Sequence, residues 1–331
     1  MNRRSTSLWI TAAATGVAAL VLPWVGAERI DAMAALRGLG ASGAASPDAM
    51  ILWSQRIPRV LLALIVGGGL ATSGAALQVL FRNPLAEPWT LGIAGGAALG
   101  AFTAHLFPAL RIWVGPLSSV QALALLGAAA VLAFMLAVCR RPRGPGVHVL
   151  LLGGITISIL CSGLVAMMVY FVSPFEFMSL HRWMTGGLDV LGYRDLGALA
   201  LLAGPGLALL FSQMREYNHL ALGTEVAMGH GVDTQRVLRR TVLGVGLVTA
   251  GVVSLAGPIG FVGMLVPHAA RALAGTDHRR MLPVSFLLGG TVLAVCDAVG
   301  RTVLAPTELP VGIVTAVCGA PLFLAVLFRR R

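Results

Sequence analysis

Not one lysine occurs in these 331 residues. That absence excludes a Walker A loop, whose lysine neutralises the terminal phosphates of a bound nucleotide. Catalytic signatures are missing as well: there is no G-x-S-x-G, no H-E-x-x-H and no dyad of inward carboxylates. The four cysteines, Cys139, Cys161, Cys296 and Cys318, stand isolated in apolar runs without C-x-x-C spacing, and read as small core residues. The seven histidines never pair at i, i+4 within a span, which argues against haem or metal ligation by the chain. His268, in VPHAAR, reads as a hydrogen-bonding group at a helix end. No cofactor, resident metal or catalytic residue is expected, and any uphill work must draw its energy from a gradient or from a partner.

Charge is scarce too. Only 11% of residues are charged and 57% are apolar, against roughly 25% charged in a soluble domain. The composition predicts an all-α polytopic membrane protein, one transmembrane domain over 1–331. Charge-free stretches cover 8–26, 60–81, 89–107, 117–139, 149–175, 196–214, 241–270, 281–296 and 309–328. The first is long enough to span and reads as a retained helix rather than a signal peptide. The seventh, TVLGVGLVTAGVVSLAGPIGFVGMLVPHAA, has thirty residues without a charge, whereas about 20 already cross a bilayer core. Gly257-Pro258 interrupts it, since proline removes a donor and glycine relaxes the backbone. The second leg, 259–271, is then a short helix that its neighbours must shelter.

The arginines decide whether that run counts once or twice, because positive charge collects on the cytoplasmic side of short loops. With Arg3 and Arg4 inside and the run counted twice, sixteen of the 24 arginines lie inside with five acids, and eight lie outside with eight acids. Counting it once would put Arg271, Arg279, Arg280 and the terminal three outside. Ten transmembrane helices with both termini cytoplasmic are therefore expected. The formal net charge of +11 is then a matter of topology, and no nucleic-acid partner is needed to explain it. Forty-one glycines, with strings such as GGGLATSGAA (67–76), suit close approach of helix backbones.

Gradient-driven carriers place ionisable groups mid-membrane. The only acid well inside a span is Asp297, with Arg301 four residues on and on the same helix face. The lack of a free acid weighs against ion coupling, although a gradient-driven secondary transporter stays as the alternative. Between the sixth and seventh spans, residues 215–238 form the one polar inner segment long enough to receive a partner. Leu220, Leu222, Val226 and Met228 are expected along one face of a short helix there, with Gly223 and 229–231 as breakers.

Five stretches make the reading specific: RIPRVLLALIVGGGLATSGAALQVLFRNPLAEPWTLGI (56–93), LALGTEVAMGHGV (220–232), AGPIGFVGMLVPHAAR (256–271), DHRRMLPVSFLLGG (277–290) and ELPVGIVTAVCGAPLFLAVL (308–327). In them the chain resembles the FecCD family, the permease subunits of type II ABC importers for cobalamin, haem and iron–siderophore complexes. The resemblance implies ten helices with both termini cytoplasmic, and three working regions. Arg56, Arg59 and Arg301 match arginines that dock acidic residues of a periplasmic binding protein; exposed guanidiniums suit bidentate carboxylate pairing. Leu222, Gly223, Thr224, Glu225, Ala227 and Gly231 match the short coupling helices seated in a groove of the ATP-binding subunit. Asn83 and Leu85, with the turn of Gly146, Val147 and His148, match the inner gate. The chain reads LAEP at 85–88 where the family commonly has LADP, and it keeps W-M-x-G-G within 181–195. The latter departs from the form common in siderophore permeases and leaves the substrate open. The partners implied are two ATP-binding cassette subunits, a periplasmic binding protein and a second permease subunit, identical or paralogous. The setting implied is a bacterial inner membrane, and the cargo a metal chelate or corrinoid.

Overall fold

Away from water each backbone N–H and C=O needs a partner within the protein, and helices supply one segment by segment. The computed structural model, which describes residues 3–37, 46–107, 117–140, 147–189 and 192–328, is built that way, with no β-strand among those residues. The α-helices in chain order are α1 (Arg3–Val21), α2 (Ala32–Arg37), α3 (Pro47–Ile51), α4 (Ile57–Leu80), α5 (Ile93–Leu106), α6 (Ser119–Cys139), α7 (Val147–Val169) and α8 (Pro174–Met184). There follow α9 (Arg194–Ser212), α10 (Met214–Leu222), α11 (Thr224–Gly229), α12 (Thr234–Ala256), α13 (Val262–Ala274), α14 (His278–Thr302) and α15 (Val311–Phe328). A π-helical turn, Leu52–Arg56, joins α3 to α4. Among the described residues seven helical segments are long and apolar enough to cross a membrane: Thr6–Trp24, Pro47–Leu80, Ser119–Cys139, Val149–Val169, Arg194–Ser212, Thr234–Ala256 and His278–Thr302. Helices α5 and α15 add shorter apolar stretches.

The thirty-residue run divides where its Gly-Pro pair predicts. Gly257, at φ +66°, ends α12, and the chain resumes as the 13-residue α13, about 20 Å long at 1.5 Å per residue. The irregular stretch between them is covered by another, 81–92, which precedes the equally short α5. Trp89 Nε1 donates to the Ile259 carbonyl at 3.2 Å, and the backbone N–H of Phe261 donates to the Glu87 carboxyl. The two breaks thus supply partners to each other's polar groups, with Glu87 Oε2 left buried and unpaired among the described residues.

Helix α4 is the centre of the bundle, buried from Val66 to Leu80 without interruption and packed against α14, α13, α12 and α9. The approach is close enough that side chains are excluded. A Cβ on Gly74 would run into the Gly263 carbonyl, and one on Gly67 into the Gly289 carbonyl, so backbones touch directly. Helices α4 and α12 are enclosed on most sides, whereas α1, α7 and α9 turn most of their apolar surface outward. Soluble monomers rarely expose contiguous apolar faces of this size; lipid and neighbouring subunits are what such faces suit. We call the end carrying residues 215–238 the inner end, following the arginine distribution, and the opposite end the outer.

Candidate functional site

At the outer end two of the three arginines singled out by sequence, Arg59 and Arg301, converge on Asp297, and Arg56 lines the same cavity. Arg59, in the first turn of α4, points its Nε at Asp297 Oδ1 (3.0 Å) and Oδ2 (3.2 Å), and its Nη2 lies 3.0 Å from Oδ1. Its Nη1 donates to Glu308 Oε2 at 2.8 Å and lies 3.8 Å from Asp189 Oδ1. Arg301 stands one turn beyond Asp297 on α14, with its Nε 3.0 Å from Asp297 Oδ2, an ion pair without good hydrogen-bond alignment. The pair expected from the i, i+4 spacing is therefore present, with a third member. Arg56 faces another way: its guanidinium lies over Gly26, where a Cβ would collide with it, and donates to the carbonyls of Pro23, Trp24 and Glu28. A cavity of about 520 Å³ opens among Glu28, Gln55, Arg56, Arg59, Arg301 and Glu308.

The expectation of exposed guanidiniums needs correction. Arg56 is 7% exposed and Arg301 3%, and the side chain of Arg59 is 14% exposed. A buried charge must be paired or neutralised, and this chain supplies the carboxylates itself, from Asp297 at 2% exposure and the half-exposed Glu308. Sequence reasoning missed Glu308 and Asp189 as partners. The one available signal was that Glu308 lies in the same ELPVG stretch that carries the family resemblance. Arg301 Nη2 is buried with no hydrogen-bond acceptor in the described chain.

At the inner end two short helices meet at Gly223. Its φ of +131° with ψ +149° is a conformation reserved for glycine, and it turns the chain sharply from α10 into α11. Leu222, Val226 and Met228 point outward, 67%, 42% and 53% exposed, beside the exposed Thr224 and Glu225. Ala227 is buried, and so is Leu220. The single apolar face expected from Leu220 to Met228 is thus divided: Leu220 and Leu222 lie about 200° apart around α10 and face opposite ways, and beyond the bend at Gly223 Val226 and Met228 stay uncovered. Gly231, at φ +77°, closes α11, with the Gly231 N–H on the Met228 carbonyl and Val232 N–H on that of Ala227.

This platform is fastened from beneath. Tyr217 is fully buried, its hydroxyl 2.9 Å from Thr241 Oγ1 of α12, and Gln213 Nε2 donates to it at 3.3 Å. Burial pushes the Tyr217 phenol well above its ordinary value. Asn218 bonds to Asp277 and His278 at the start of α14, and its amide holds the Asp277 carboxyl below the usual carboxylate range.

Of the gate residues, Asn83 and Leu85 occupy the irregular stretch after α4. Asn83 Oδ1 accepts from the Leu85 N–H at 2.9 Å, a local side-chain turn that leaves Leu85 exposed. Val147 and His148 open α7, and Gly146 lies outside the described residues. Among the described residues no group of histidine, cysteine and carboxylate side chains could hold a metal ion.

The profile of the FecCD transport family matches residues 12–329. The chain belongs to that family. It is 38% identical over 283 residues to the vitamin B12 import system permease protein BtuC of Yersinia pseudotuberculosis, covering 85% of this chain and 82% of the relative. The Klebsiella pneumoniae protein of the same name is 37% identical over 282 residues, 85% of this chain and 83% of that one. Among solved structures, an inward-facing ABC transporter provisionally assigned to the metal-chelate type superposes with a TM-score of 0.82 at 28% identity, over 97% of this chain and 98% of the other. PsaBC from Streptococcus pneumoniae shares the fold alone, at TM-score 0.52 and 15% identity over 81% of this chain and 90% of that one. The FecCD chain described above is a multi-pass membrane protein and a permease subunit of an ABC importer.

Proposed function

We propose that this FecCD permease moves a corrinoid of the vitamin B12 type, with a metal chelate of similar bulk as the second reading. The relatives at 37–38% identity are named for vitamin B12 import, and the structural relative of 28% identity is of the metal-chelate type, so the first carries more weight. The working unit is two permease subunits in a bacterial inner membrane, each with ten spans and both termini cytoplasmic. Two ATP-binding cassette subunits meet the inner end, and a periplasmic binding protein delivers cargo at the outer end. ATP binding and hydrolysis rock the paired bundles between outward- and inward-open states.

One observation carries this reading. The exposed Leu222, Val226 and Met228 stand on a pair of short helices whose undersides are locked into the bundle through Tyr217 and Asn218. An apolar surface held rigid at the polar end of a membrane protein suits a standing contact with a motor protein. Gly223 and Gly231 give the sharp ends such a surface needs, with Thr224, Glu225 and Ala227 completing it. Arg56, Arg59 and Arg301 form the receiving site for binding-protein carboxylates; Asp297 is the resting partner of Arg59 and Arg301, Glu308 of Arg59, and backbone carbonyls of Pro23, Trp24 and Glu28 those of Arg56. Asn83, Leu85, Gly146, Val147 and His148 make the inner gate.

The test is uptake of cyanocobalamin into proteoliposomes holding the permease and its ATP-binding subunits, with binding protein on the outside. Uptake is expected only with ATP. Uptake driven by an ion gradient through the permease alone would establish the secondary-transporter alternative instead. The topology has its own test. A cysteine at Thr276, exposed between α13 and α14, is expected to react with impermeant thiol reagents only from the cytoplasmic side; reaction from the periplasm would mean nine spans.

A further inference from the structure

Helix α14 runs 25 residues, through Pro283 and without a break, about 37 Å at 1.5 Å per residue. Its outer part bears Asp297, which holds Arg59, and Arg301, which pairs with the same carboxylate. At its inner end the side chain of Asn218 from α10 takes hold of it by hydrogen bonds, beside the Tyr217 ring that packs on His278. Asn218 Nδ2 donates to Asp277 Oδ1 at 2.7 Å, and Asn218 Oδ1 accepts from the His278 N–H at 2.8 Å and lies 2.9 Å from His278 Nδ1. Asp277 is the residue that caps α14, its Oδ1 also accepting from the Arg279 N–H at 3.0 Å. Both ends of one amide are therefore spent on one helix start, and Asn218 lies four residues before Leu222. Along its length α14 meets α4 backbone to backbone at Gly67 and Gly289, with no compliant side-chain layer to absorb a displacement.

We infer that Asn218 is a positioning residue for transport, tying the inner helices α10 and α11 to α14 so that movement at the inner loop shifts Asp297 and Arg301 at the outer end. Linkage makes the tie reciprocal: occupation of the outer site biases the inner loop by the same free energy. The inference rests on the reading of α10 and α11 as the surface that meets the ATPase. It adds a route by which that surface and the arginine cluster act on each other.

The test is an exchange of partners in the assembled complex, permease with ATP-binding subunits in nanodiscs. Basal ATP hydrolysis is measured, then its increase on adding binding protein loaded with cyanocobalamin. Asn218→Asp sets a carboxylate against Asp277. It is expected to cut the stimulated increase about tenfold, inside the span usual for coupling between sites, with assembly, thermal stability and basal rate kept. Asp277→Asn alone is expected to stay within about twofold of the parent, since Asn caps helices as well as Asp. The double variant restores the donor–acceptor pair in reverse and is expected to restore stimulation. Full stimulation in Asn218→Asp, or no recovery in the double variant, would overturn the inference. So would a joint fall of basal rate and thermal stability with the stimulation ratio unchanged, the mark of a merely structural joint. Leu222→Glu tests the underlying surface separately: if the ATP-binding subunits still assemble on it normally, the surface reading fails whatever the exchange shows.

Discussion

The two ends of the bundle solve opposite problems. At the outer end the groups suited to a partner are charged, and the chain has already paired most of that charge with its own Asp297 and Glu308. At the inner end they are apolar, and Leu222, Val226 and Met228 have nothing over them. The difference follows from the two kinds of surface. Guanidiniums left in a low-dielectric site without carboxylates would cost several kcal/mol each, so a charged receiving site must rest on internal partners and exchange them on docking. Apolar side chains carry no such penalty and can wait uncovered for a standing contact. On the proposed reading, the outer end suits binding and release and the inner end a lasting joint.

The strongest way to break this comparison is to remove the internal carboxylate. Asp297→Ala removes the carboxylate between two buried guanidiniums, leaving Arg301 without its ion-pair partner and Arg59 with Glu308 and the more distant Asp189. Breaking a buried ion pair from one side costs about 3–5 kcal/mol, and the expected result is loss of most folded protein, read as a lowered thermal transition in detergent. If Asp297→Ala folds and melts like the parent, the outer cluster is solvated and its arginines are freely available.

Next in size is the joint of the inner end. Gly223 is itself buried, yet a Cβ there would meet only Val226 Cγ2, at 3.8 Å, so the first side-chain atom fits within the chain. Its φ of +131° adds local strain of roughly 1–3 kcal/mol for any other residue. Gly223→Trp is expected to leave the permease folded while separating ATP hydrolysis from cyanocobalamin uptake in the reconstituted complex. Wild-type assembly and transport in that variant would remove the coupling surface from α10 and α11.

How much of this was legible beforehand varies with the range of the interaction. The helices followed from apolar runs, and the break in the longest run from Gly257-Pro258, because both are decided within a few residues. The Asp297–Arg301 pair followed from four-residue spacing on one helix. The carboxylate–guanidinium contact that matters most, Arg59 to Asp297, joins residues 238 apart, and no local pattern announces it. Arg56 illustrates the same limit. The family resemblance marks it as a docking arginine, and only the fold shows that the carbonyls of Pro23, Trp24 and Glu28 occupy it. Leu220 and Leu222 are expected on one face of a short helix, but at two residues apart in α10 they fall about 200° round the axis, one buried and one exposed.

A smaller effect distinguishes the inner patch from ordinary exposed surface. Met228→Glu changes a half-exposed side chain with no structural duty, so folding is expected to move by less than about 0.5 kcal/mol. Binding of the ATP-binding subunit is expected to weaken by about 1–3 kcal/mol, the range for withdrawing one apolar side chain from a buried contact. Paired thermal-unfolding and association measurements decide it. A shift in folding without a shift in association would place Met228 against the permease itself.

The smallest predicted effect runs in the opposite direction and bears most directly on partner exchange. Arg59 Nη1 is held by Glu308 Oε2 at 2.8 Å, and the Glu308 side chain is 39% exposed, so this is the accessible arm of the outer cluster. An incoming carboxylate must displace it. Glu308→Gln removes the competing charge and keeps the shape. Exposed ion pairs are worth about 0–1 kcal/mol, so stability is expected to change little, while association of the binding protein rises by up to about fivefold at low salt. The gain is expected to shrink as salt is raised towards 0.5 M, because surface charges are screened within a few ångströms there, and to act mainly on the association rate. Arg59→Glu is the matching reversal, expected to weaken association through both its own charge and the loss of the Asp297 contact. If Glu308→Gln leaves the association rate unchanged at every salt concentration while Arg59→Glu lowers it, Arg59 docks without giving up Glu308. The outer end would then be as permanent an interface as the inner one, and the contrast between the two would be one of chemistry alone.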